Sequence, residues 1–154
     1  MWSKTLCILF LILGASASRT GSFGPDIHAK KAEGIAKEFL NKVTVAVKSD
    51  NPEDGLRPLV DISWFRTCHQ MLYQEQIIES LTQNQTKTDF KIDFVFAEPY
   101  NEAEGEVYCG VKIFGVKSSP FNANLILTHL VDNETPTIFH RGWISGSSCG
   151  NHTS

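Results

Sequence analysis

The chain has 154 residues, a formal net charge of −3 and 42% hydrophobic residues. That is enough apolar content for one globular core of ordinary size. A mildly acidic chain without a basic cluster is a poor partner for nucleic acid or for an anionic membrane, so neither is expected.

The first element in chain order is a leader. Met1 to Lys4 is short and carries one positive charge, Leu6 to Leu13 is an unbroken apolar run, and Ala15-Ser16-Ala17 puts small residues where a signal peptidase reads. Residues 1–17 therefore read as a secretory signal. The run is far shorter than the roughly 20 residues needed to span a bilayer. No later run is apolar enough to span, so the expectation is an extracellular, secreted protein without membrane anchoring. Residues 18–26 read as a flexible leader, residues 27–149 as a single domain and residues 150–154 as a loose tail.

From Ala32 onward, Ala32, Ile35, Ala36, Phe39, Leu40, Val43, Ala46 and Val47 recur in steps of three and four. This spacing predicts a long amphipathic helix ending near "KSDNP". Pro52 fits the first turn of a second, short helix with Asn51 as its cap and Leu56, Leu59 and Val60 inward. "ISWFRTC" (62–68) is a short strand or a wall of the core. A third helix is predicted over 73–81, with Ile77, Ile78 and Leu81 inward. "TQNQTKT" then breaks the chain and offers Asn84 to solvent.

Beyond this point the period changes to two. Phe90, Ile92, Phe94 and Phe96 share one phase, as do Val107, Cys109, Val111 and Ile113. Leu125, Leu127, His129 and Val131 share another, and Ile138, His140, Gly142 and Ile144 the last. Turn-forming stretches separate the four runs, which predicts an antiparallel meander. Helices followed by such a sheet make an α+β fold.

The order of parts resembles the nuclear transport factor two-like fold. The residues that carry the resemblance are the helix "AEGIAKEFLNKVTVAVKS", the turn "DGLRPLV", the stretch "WFRTCHQMLYQEQIIESL" and the four strands, together roughly residues 27–146. The resemblance implies a cone: a long N-terminal helix and two short ones packed on a curved, four- to six-stranded, mainly antiparallel sheet. It is closest to the secreted members found in large numbers in nematodes, most without assigned function. It also implies that the stretch around Cys68 lies beside the last strand, whose exit leads to Cys149. A Cys68–Cys149 disulfide is the expected pairing, with Cys109 left as a buried thiol. Closing such a loop stabilises by roughly 3–5 kcal/mol. Dimerisation through the sheet is common in this fold. An apolar band of Tyr108, Ile126, Leu130, Phe139 and Trp143 on the second sheet face makes a homodimer the expectation.

Candidates for chemistry are few. The fold hosts isomerases that use an aspartate base, but Asp93 falls on the polar phase of its strand with Lys91 and reads as a solvent-facing charge. His129 shares a phase with apolar residues and reads as inward. The last hairpin can bring His140 beside it, but the length of the turn does not fix the register, and neither has an evident carboxylate partner. No catalytic residue is assigned; His129 and His140 are the weak candidates. The five histidines show no HxH or HExxH spacing and there is no CxxC, so neither a metal nor a cofactor is expected. Asn84, Asn133 and Asn151 head glycosylation sequons, Asn133 weakened by Pro136. The leading expectation is a secreted binding or interaction module with room for a small apolar ligand in the cone. The alternative is a small cofactor-free lyase or isomerase using His129 in the cone pocket.

Overall fold

The computed structural model describes residues 25–129 and 136–150. The expected signal, the sequons at Asn133 and Asn151 and most of the tail lie outside them. The first helix, α1 (Pro25–Lys48), starts within the stretch expected to be flexible leader. Its apolar stripe is buried as the spacing predicts, from Ala32 to Val47, with only Ile35 partly exposed. On the opposite face Glu33 pairs with Lys37 and Glu38 with Lys42, each four residues apart. Such exposed pairs add only tenths of a kcal/mol each (about 0.3–0.5). Stripe burial is what holds the helix in place.

Next, α2 (Pro52–Leu56) is a single turn extended by a 3-10 turn over Arg57–Leu59. Leu56, Leu59 and Val60 are buried, as expected. A Cβ at Gly55 would stand 2.9 Å from the Cβ of Ala46, so two small residues let α2 lie directly on α1. Asn51 does not cap by bonding the helix backbone; its amide donates to Asp54 instead. The next elements are β1 (Trp64–Arg66), β2 (Met71–Tyr73) and α3 (Gln74–Thr82). The Gln76 side chain accepts the Tyr73 N–H at 3.0 Å and so starts α3.

An additional helix, α4 (Asn84–Asp89), occupies the segment expected as a break. It has no apolar stripe. Thr86 anchors it: the residue is 2% exposed and its hydroxyl donates to the Ser80 carbonyl at 3.1 Å.

The strands β3 (Lys91–Asn101), β4 (Glu106–Phe114), β5 (Phe121–Thr128) and β6 (Ile138–Ile144) form the expected meander. With β1 and β2 they build a six-stranded sheet in the order β2-β1-β6-β5-β4-β3. Every pairing is antiparallel except β1 with β6, which is parallel. This matches the α+β, mainly antiparallel expectation at its six-stranded limit.

The sheet has three register breaks; one, between Pro99 and Asn101, leaves Tyr100 as the extra residue, and the other two set the faces of Phe96 and Phe139. The first of these two falls between Phe94 and Phe96, where Val95 is the extra residue. Phe96 therefore leaves the inner phase it shares in sequence with Phe94, and lies 38% exposed on the outer face. Its ring covers Gly110, where an added Cβ would collide with it at 2.3 Å. The other break lies opposite Ile126 and Leu127, which pair with Arg141 and Phe139 and leave His140 as the extra residue. Phe139 consequently faces inward at 5% exposure, and is not part of the outer band expected for it. A bulge inserts one residue and so exchanges the faces of everything beyond it.

Candidate functional site: an apolar cavity in the cone

The helix α1 packs across β3 and β4. A rod on a curved sheet fills only part of the concavity. The rest is a cavity of about 480 Å³. Phe39, Leu40 and Val43 of α1 form one wall, and Ile77 and Leu81 of α3 another. The sheet supplies Ile92, Ile113, Phe121, Leu125, Phe139 and Ile144 as the floor. Phe65 closes the side, its ring set over Gly142 on the paired strand, where a Cβ would meet it at 3.0 Å.

The lining residues that are exposed are His69, Gln70, Lys117 and Ser118, so the mouth lies between the β1–β2 turn and the β4–β5 turn. The disulfide borders this mouth. Parallel pairing of Arg66 with Trp143 sends β1 and β6 out at the same end of the sheet. Cys68 and Cys149 follow those exits and are bonded, with a Cα–Cα distance of 5.4 Å, well inside disulfide reach. The pairing expected from the resemblance is therefore present. Cys109 is a free, fully buried thiol, and burial pushes its pKa up to about 12.

Neither histidine candidate lies in the cavity. His129 sits just past the end of β5, at the far end from the mouth, where its N–H donates to the Gly105 carbonyl at 2.8 Å. Gly105 has φ of 65° and an added Cβ would overlap the His129 carbonyl at 2.2 Å, so this contact requires glycine. The His129 Nδ1 is 2.8 Å from the Thr137 hydroxyl. The alternative reading that uses His129 in the cone pocket does not find it among the lining residues: its strand ends at Thr128, before the inward phase reaches it. Lys42 holds the nearby Glu38 carboxyl below the usual range, with His129 a smaller contributor.

His140 does have a carboxylate partner, which the sequence reading missed. Its Nδ1 is 3.0 Å from Oε1 of Glu106, whose side chain is 4% exposed, and Arg141 Nη2 is 3.8 Å from Oε2. The bulge makes this possible by turning His140 and Arg141 to the same outer face, across β5 from Glu106. Alternation alone gives Glu106 as one more polar outward residue. This cluster stands on the outer face, away from the cavity, and orders the sheet. Asp93 carries the partly exposed charge expected on its polar phase, and Lys91 pairs with it at 2.9 Å. No group of three or more His, Cys, Asp or Glu among the described residues could hold a metal ion, and none of their helices is long and apolar enough to cross a membrane.

Comparison with known proteins agrees with this architecture. The family model described as NTF2-like domain matches residues 33–141. No curated protein matches the chain. Among solved structures, a conserved protein from Planctomyces limnophilus DSM 3776 aligns with a TM-score of 0.53 at 13% identity, covering 75% of this chain and 98% of its own. A protein called Rd1NTF2_04 with long sheet aligns with a TM-score of 0.50 at 8% identity, over 74% of this chain and 99% of its own. At such identities the likeness speaks for the fold alone.

Proposed function

The chain belongs to the NTF2-like domain family, and from that premise we propose that it is a secreted binding module that holds a small, largely apolar molecule in its cone. The observation that carries the reading is the cavity itself. Its 480 Å³ lies within the range of about 300–1,000 Å³ typical of small-molecule sites. Its lining is aliphatic and aromatic, with polar groups at the mouth, which suits retention rather than turnover. A cavity catalyst needs a positioned acid or base; neither His129 nor His140 lines the cavity, and the histidine that does, His69, is exposed at its mouth. Secretion is supported by the leader and by a disulfide, which persists in oxidising compartments. In this reading the sequons at Asn84, Asn133 and Asn151 meet the glycosylation machinery of the secretory pathway.

The outer sheet face is the surface assigned to a second copy. Tyr108 stacks on Trp143 at 6.1 Å and meets Phe96 at 5.3 Å and Tyr100 at 6.2 Å, while Phe96 and Tyr100 remain 38% and 56% exposed. A two-fold pair would place the same band on itself. Sedimentation at tens of micromolar (roughly ten times the micromolar affinity scale) should show a dimer, and Tyr100→Lys a monomer.

Native mass spectrometry of the secreted, deglycosylated protein tests the central reading. A non-covalent mass adduct that disappears on denaturation is the expected result. Bare protein that also fails to take up any apolar probe would remove the cone as a binding site.

A further inference from the structure

The cavity mouth carries charge of one sign. No Asp or Glu lines the cavity among the described residues, whereas Lys117 does. Lys117 also enters no ion pair or hydrogen bond among those residues. The turn that bears it is pinned. Gly115, at φ of 81°, lies so close to the chain before β3 that an added Cβ would stand 2.3 Å from the Asp89 carbonyl carbon and 2.5 Å from the Phe90 nitrogen. The Ser119 N–H donates to the Val116 carbonyl at 3.0 Å and closes the turn. Val116 itself lines the cavity, so the lysine stem leaves directly from the wall.

An ammonium at the rim of an apolar chamber gains little from a neutral guest. It gains from a guest whose body fills the chamber and whose anionic end stops at the mouth, where water still reaches the charge. The chain as a whole carries −3, so its long-range field does not gather anions; the attraction has to be a local contact.

We propose that the cone binds an amphiphilic monocarboxylate, its hydrocarbon body among the side chains of β3–β6 and its carboxylate against Lys117. This rests on the binding reading above and specifies the class of ligand.

The test uses the mature, delipidated protein with cis-parinaric acid and its methyl ester, two fluorescent probes that share one hydrocarbon chain. The acid should bind about three- to fivefold more tightly than the ester, the scale of one partly exposed charge pair. Added salt should narrow that gap. Lys117→Ala and Lys117→Glu should bring the acid to or below the affinity of the ester, whose own binding stays constant and reports an intact cone. Lys117→Arg should keep the preference. Equal binding of acid and ester by the unaltered protein, or an acid affinity indifferent to Lys117, would overturn the carboxylate assignment and leave the cone reading standing. Failure of both probes to bind would overturn the cone reading and the assignment together.

Discussion

The two faces of the sheet solve opposite problems. The inner face is covered by α1 yet stays partly empty; the outer face has no helix of the described residues over it, yet aromatic rings cover its central strand. On the inside, Val107, Cys109, Val111 and Leu127 are packed to 5% exposure or less. Towards the mouth, Ile113, Leu125 and Ile144 on the same face line the cavity instead. On the outside, Ile126 is only 1% exposed, because aromatic rings lie down over the strands. Tyr108 and Trp143 stack across β5, Phe96 covers Gly110, and the Arg141 guanidinium sits 6.0 Å from the Tyr100 ring. Burial also pushes the Tyr108 phenol up from its ordinary pKa. A straight helix cannot fill a cone, whereas flat rings can tile a convex surface. The apolar cavity thus lies on one face and opens at one end.

That contrast can be broken first at the mouth. Replacing both Cys68 and Cys149 with serine removes a constraint across 81 residues and should cost roughly 3–5 kcal/mol, read as a lower urea midpoint. A smaller effect separates the two ends of the inner face. Leu127→Ala should cost about 3 kcal/mol, since Leu127 is enclosed on all sides. Leu125→Ala should cost about half as much, because one side of it already lacks partners. Equal losses in urea titrations would mean that the cavity is not empty.

On the outer face, Glu106→Ala should cost about 1–3 kcal/mol by leaving His140 and Arg141 without their shared acceptor. Cys109 sharpens the inner-face description through pH. Its thiol is held protonated up to about 12, against about 8.5 in an unfolded chain. The folded state therefore binds the extra proton, and stability from this group is intact below about 8.5 and lost as pH climbs towards 12. Iodoacetamide at pH 8 should leave Cys109 unlabelled until urea is added. The smallest effect is expected at His129. His129→Gln should change stability by less than about 1 kcal/mol and leave cavity binding unaltered in the same probe titration.

Much of this molecule was legible in its residues. The α1 stripe from Ala32 to Val47 and the inward run Val107-Cys109-Val111 are simple periodicities, and the structure follows them. Cys68 and Cys149 were paired through the resemblance, since only the parallel docking of β1 beside β6 brings their exits together. The two residues assigned to the wrong face share a physical cause. Val95 and His140 are single extra residues that no pattern of alternation announces, and each moves a neighbour to the other face: Phe96 outward, Phe139 inward. Without the second bulge, Glu106 has no visible reason to be buried. The helix α4 was missed because one buried threonine, not an apolar stripe, holds it. The resemblance implies a cone but not whether it is open or filled. Its open end, and Lys117 beside it, depend on how the β1–β2 and β4–β5 turns stand relative to one another, which local sequence does not encode.

The most direct measurement is a methyl-NMR titration with a neutral apolar probe such as naphthalene. The account predicts shifts at Leu72, Leu81, Ile92, Ile113, Leu125 and Ile144, which line the cavity, and none at Ile126 beneath the outer rings. Shifts centred on Ile126, or no shifts at any methyl up to the solubility of the probe, would contradict it.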